Sequence, residues 1–207
     1  MNTGLEIDPK FIKAGNITAK VRDEFKQRNL IGMTVTQVCN EVEDMIRKLG
    51  AEPGFPCGVS INDVTAHYSG ELFVDRVITD NSVIKLDLGA HIDGFVADTA
   101  VTISYNPDYY ELTSATEKAL YEAIKNVKNK TSSATLGKII EETAHKYGFK
   151  PISNLSGHSI ERFKIHAGVS IPNISTPFGS NLHVGHVYAI EPFLTLKNAA
   201  GYVVDGT

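Results

Sequence analysis

The chain is poor in cysteine, has no excess of positive charge and contains no long apolar run. Its 207 residues include two cysteines, Cys39 and Cys57, too few for a disulfide framework and without zinc-ligand spacing. They read as reduced thiols of an intracellular protein. Twenty Lys and Arg stand against 24 Asp and Glu, a net charge of −4, which offers no basic footprint for nucleic acid. The one basic cluster, Lys125 to Lys130, falls at the end of an expected helix, where solvation and the helix dipole account for it. The amino terminus, MNTGLEIDPKFIKAG, carries no apolar signal region, and no later segment is long enough to span a bilayer. No low-complexity linker interrupts the chain. What remains is a cytoplasmic profile, with 42% hydrophobic and 21% charged residues, enough for one sizeable core.

Periodicity supplies the layout. Ile12, Ile17, Val21 and Phe25 step at helical spacing over 9–28, and Val35, Val38, Val42, Met45, Ile46 and Leu49 form a second stripe closed by Gly50. Strand-rich sequence follows, from FPCGVSI onward. The order then repeats: Leu112, Ala115, Ala119, Ala123 and Val127 mark a third helix, and Leu136, Ile139, Ile140 and Ala144 a fourth, ended by Gly148. Short apolar runs come after it, among them HVYAIEPFLTL. The expected architecture is α+β, one domain over 1–207 built from two related halves, with a site drawing residues from both.

Residues 85–103, KLDLGAHIDGFVADTAVTI, read as two strands joined at Asp93-Gly94. Asp87 and Asp98 stand inside these apolar strands. A turn centred on Ile92-Asp93 would set them directly opposite; one centred on Asp93-Gly94 would make them diagonal neighbours on one face. Either register crowds two like charges, which must share a proton, repel, or hold a multivalent cation between them. Glu191, in VYAIEPF, repeats the anomaly of an acid in an apolar strand. His158 and His166 lie in NLSGHSIERFKIHAG, and His67 in SINDVTAHYSGE. His91, His145, His183 and His186 read as ordinary core or surface residues. Three buried acids with one imidazole suit a pair of divalent ions such as Mn, Fe, Co or Zn.

INDVTAHYSG, KLDLGAHIDGFVADTAVTI, NLSGHSIERFKIHAGVSIPNI and VYAIEPF together resemble methionine aminopeptidase of type II, in its archaeal form. The resemblance covers nearly the whole chain. It implies the pita-bread fold, two pseudo-symmetric halves around a di-metal centre, and removal of the initiator methionine from nascent chains. By the same resemblance Asp87 chelates one metal, Asp98 bridges both, and His158 and Glu191 hold the other. His67 and His166 would position and polarise substrate as non-ligand histidines. Phe55 and Ile165 would line the methionine pocket, and Gly157 would let the backbone turn close to the metals. Two cations would activate water near neutral pH, Glu191 would take and return the proton, and His67 and His166 would stabilise the tetrahedral intermediate.

The family supplies a fifth ligand, a second bridging glutamate, from a strand after a helical insertion. This chain stops at GYVVDGT, and no glutamate follows Glu191. The expectation is a shortened form, a piece of a split or nicked enzyme, or a degenerate homologue, inactive by itself and completed by a second polypeptide if naturally split. The intact earlier ligands favour a piece of an active enzyme. Rival readings are an Xaa-Pro aminopeptidase or prolidase, which usually adds an amino-terminal domain, and a non-catalytic pita-bread binding protein.

Overall fold

The computed structural model describes residues 6–70 and 75–206. The described residues divide into two compact units: one lies within Asp8–Tyr109 with Arg162–Lys164, the other within Tyr110–Glu161 and 165–206 with Glu6 and Ile7.

In the unit built on Asp8–Tyr109, helix α1 (Pro9–Gln27) starts where Asp8 accepts a hydrogen bond from the Lys10 N–H at 2.9 Å, with Pro9 in the first turn. Ala14, Ile17, Thr18, Val21 and Phe25 are its buried residues. Ile12, expected in this stripe, is 58% exposed. Its five-residue step to Ile17 rotates it off the face that Ala14 occupies instead. Helix α2 (Val35–Lys48) opens on a capping box formed by Thr34 and Gln37, and buries Val35, Val38, Cys39, Val42 and Ile46. Gly50 follows it at φ +84°.

Four strands complete this unit: β1 (Glu52–Pro53), β2 (Gly58–Ile61), β3 (Val83–Ile92) and β4 (Phe95–Ser104). β3 pairs antiparallel with β4 on one side and shares its other side between β1 and β2. Ile84, Leu86, Leu88 and Ala90 alternate along β3 into the core, where they meet Val21, Phe25, Val38, Val42 and Ile46. Full burial of each large side chain here is worth about 1.5–3 kcal/mol.

The second unit repeats the order of two helices and then strands. Helix α3 (Tyr110–Lys125) buries Ala115, Ala119 and Ala123, and helix α4 (Ser133–Lys146), capped by Ser132, buries Leu136, Gly137, Ile140, Thr143 and Ala144. Val127 falls beyond α3 and is exposed, so the third stripe ends earlier than its spacing predicts. β5 (Phe149–Pro151) pairs with β9 (Leu194–Leu196), while β6 (Ser156–Ile160) lies between β7 (Ser170–Pro172) and β8 (Val187–Ala189). Ile190 packs with Ala119, Ala123 and Ile140, and also with Leu136, Ile171 and Leu182. Among the described residues, no helix is long and apolar enough to cross a membrane.

Candidate metal centre

The two units carry different candidate ligands. In the first, Ile92 pairs with Phe95, so the turn is Asp93-Gly94, with φ of +51° and +84° at its two residues. Two left-handed residues in succession form the hairpin turn whose twist matches that of the strands. This register pairs Asp87 with Ala100 and Gly89 with Asp98. The two carboxylates are therefore diagonal neighbours on one face, opposite to the face that carries Leu86 and Leu88. Both are half-buried.

The carboxylate face is partly roofed. A Cβ at Gly89 would stand 2.3 Å from the Phe55 ring, so glycine is what allows the ring to lie across the strand there, directly cross-strand from Asp98. Lys85 shares the face two residues from Asp87, but its ammonium donates to the Asn62 carbonyl at 2.7 Å. Burial pushes the Lys85 pKa down to about 8. The thiols lie next to this strand, on β2's approach and on α2: Cys39 Sγ donates to the Cys57 carbonyl at 3.1 Å, and both are free and buried. Contact with Cys39, followed by burial, pushes the Cys57 thiol far up.

His67 does not occupy a strand as His158 does. It is exposed, at φ +60°, in the loop after β2, whose next residue, Tyr68, accepts a backbone hydrogen bond from Val59 at 2.7 Å.

In the second unit, His158 is a buried residue of β6, paired with Ala189 of β8. Glu191 lies two residues past the end of β8, not within a strand as expected. Pro192 follows it, has no N–H to continue a ladder, and disfavours regular structure just before itself. Ile190 turns into the helix-packed core, and Glu191 turns to His158: Glu191 Oε1 lies 3.0 Å from His158 Nε2. That oxygen is buried and has no hydrogen-bond partner among the described residues. The separation would suit an ion pair with a protonated imidazole, yet the ring N–H geometry is not that of a hydrogen bond. Two ligand-type atoms thus stand side by side, one an orphaned carboxylate oxygen, which is the arrangement a shared cation satisfies. A proton on His158 Nδ1, facing the Ser159 carbonyl at 3.4 Å, leaves the Nε2 lone pair for that role.

Gly157 permits this approach. A Cβ there would stand 2.3 Å from the Ala189 carbonyl oxygen and 3.1 Å from the Glu191 nitrogen. The His166 ring packs edge-on against His158 at a centroid distance of 4.2 Å. Ser159 anchors its loop: the Ala167 N–H donates to Ser159 O at 2.8 Å, and the Val169 N–H to Ser159 Oγ at 3.0 Å. His166 is exposed and Ile165 half-buried. A residue that sequence reasoning overlooked, Asn173, is fully buried next to this assembly; its only signal was a polar residue in the apolar run IPNI.

Comparison with known proteins gives these residues a context. The profile of metallopeptidase family M24 matches residues 10–206. The chain is 45% identical, over 95% of its length, to a methionine aminopeptidase of Methanocaldococcus jannaschii, and spans 66% of that relative. A crystal structure of methionine aminopeptidase from Thermotoga maritima is similar at a TM-score of 0.82 and 27% identity, covering 92% of this chain and 81% of that one. The prolidase of Pyrococcus furiosus shares the fold at a TM-score of 0.78 and 23% identity, covering 91% of this chain and 56% of that one.

Proposed function

The chain belongs to metallopeptidase family M24 and has its pita-bread fold, and on that premise we propose that it serves as a methionine aminopeptidase acting on the amino termini of newly made proteins. The 45% identity to an enzyme of that name carries the reading; the prolidase likeness is weaker and speaks to the fold alone. The residues proposed as metal ligands, carried over from the family resemblance, are Asp87, Asp98, His158 and Glu191. The chain, 1–207, would act as a single catalytic domain in the cytoplasm.

Hard carboxylate oxygens with a single imidazole fit divalent Co, Mn, Fe or Zn, and the orphaned Glu191 Oε1 supports that fit. Two such ions, when bound, supply Lewis acidity and lower the pKa of water. The protein's own groups do the rest. Glu191 takes a proton at its carboxylate and returns it to the leaving amine. His166, packed on His158, donates toward the developing oxyanion, and His67 orients the scissile bond. Phe55 and Ile165 contribute apolar surface for an unbranched methionine side chain.

The reading is tested by supplying the protein with Co or Mn and comparing release of methionine from Met-Ala-Ser with cleavage of Ala-Pro peptides. Methionine release is the expected result once the chain is supplied with the family's carboxyl-terminal segment as a second polypeptide. Preferred cleavage before proline would favour the prolidase reading, and absence of bound metal would favour a binding protein.

A further inference from the structure

We propose that Asn173 is a positioning residue that sets His158 and Glu191 in the geometry a metal requires; this rests on the metal reading above. Asn173 is 0% exposed and lies just past the end of β7. Its side-chain amide spans two segments. Nδ2 donates to the Leu155 carbonyl at 2.8 Å, and Oδ1 accepts from the Phe193 N–H at 3.0 Å. Leu155 is three residues before His158, and Phe193 two residues after Glu191. One side chain therefore ties the entry to the histidine strand to the exit from the glutamate.

The tie matters because Glu191 is outside the ladder. The β6–β8 pairing ends at His158–Ala189, and Pro192 can donate nothing. Beyond Ala189 the chain is anchored again at Phe193, whose carbonyl accepts from the Ile152 N–H at 2.8 Å and whose N–H goes to Asn173. Removing the Asn173 bond frees one of two restraints on the residue that fixes where Glu191 ends. Only an amide offers both a donor and an acceptor in this shape. Aspartate keeps the acceptor for Phe193 but sets a second oxygen against the Leu155 carbonyl; leucine fills the volume and leaves both backbone groups buried without a partner. Groups that orient metal ligands from behind are typically worth about 10–100-fold in metal affinity.

The experiment prepares the wild-type protein, Asn173→Asp and Asn173→Leu, confirms folding by circular dichroism and thermal unfolding, and titrates each with Co(II). Affinity is read by calorimetry and ligand geometry by the visible Co(II) absorption. A folded variant should bind Co(II) about 10–100-fold more weakly with a shifted spectrum, and its kcat on Met-Ala-Ser should fall more than its KM rises. A folded variant with wild-type affinity and spectrum would overturn the assignment, and so would loss of the fold in both variants, which would make Asn173 a stability residue only. A wild-type protein that binds no Co(II) would instead overturn the metal reading on which the assignment depends.

Discussion

Asp87 and Asp98 project from the same face of the β3–β4 ladder as diagonal neighbours, with Asp87 opposite Ala100 and Asp98 opposite Gly89. Two like charges so placed repel, and a cation between them relieves that repulsion. Asp98→Asn removes the charge and keeps the shape. Turnover should fall about a hundred-fold or more, with a loss of bound metal by elemental analysis. Wild-type stoichiometry and rate in this variant would remove Asp98 from the ligand set.

Gly157→Ala should be costly out of proportion to one methyl group. The added carbon would meet the Ala189 carbonyl oxygen at 2.3 Å, a backbone atom that moves only with β8 and hence with Glu191. Overpacking of this kind costs about 1–3 kcal/mol. Urea unfolding should show that loss, and metal affinity should fall with it. A change within a few tenths of a kcal/mol would mean that the two segments separate easily.

His67→Ala is expected to separate catalysis from metal binding. The residue sits in a loop at φ +60°, exposed, and is proposed to act on substrate and not to ligate. The variant should retain its metal content and lose about 100- to 1,000-fold in kcat. Release of one ion together with the imidazole would assign His67 to the ligand set.

Lys10 and Asp93 give a pH-dependent effect that catalysis does not enter. Lys10 Nζ donates to Asp93 Oδ2 at 2.6 Å, joining the start of α1 to the hairpin turn. That hydrogen bond, then the Lys10 charge, holds the Asp93 carboxyl below the usual carboxylate range. A depressed carboxyl stabilises the fold above its unfolded pKa, and the contribution disappears as pH falls through the folded value. In Lys10→Met the Asp93 titration, followed by carboxyl NMR, should move up toward an ordinary aspartate. An unchanged midpoint would show that Arg162 and His91 account for the shift.

Much of this molecule was readable from its residues. The α2 stripe closed by Gly50, the four-helix order and the Asp93-Gly94 turn depend on interactions within a few residues, and local periodicity and turn chemistry report those directly. The misplaced acids were visible for the same reason, because an aspartate in an apolar strand contradicts its immediate neighbours. Choosing between the two turn registers required the actual ladder, since one residue of slip exchanges an opposite pair for a diagonal one. Ile12 was read into the wrong face because α1's core contact is set by what packs on it, and Ala14 serves there. Glu191's place beyond β8 and Asn173's two bonds, to residues 18 and 20 positions away, leave almost no local trace. Those features arise only when β6, β7 and the segment after β8 are brought together, where a buried amide must find partners that no neighbour in the chain can supply.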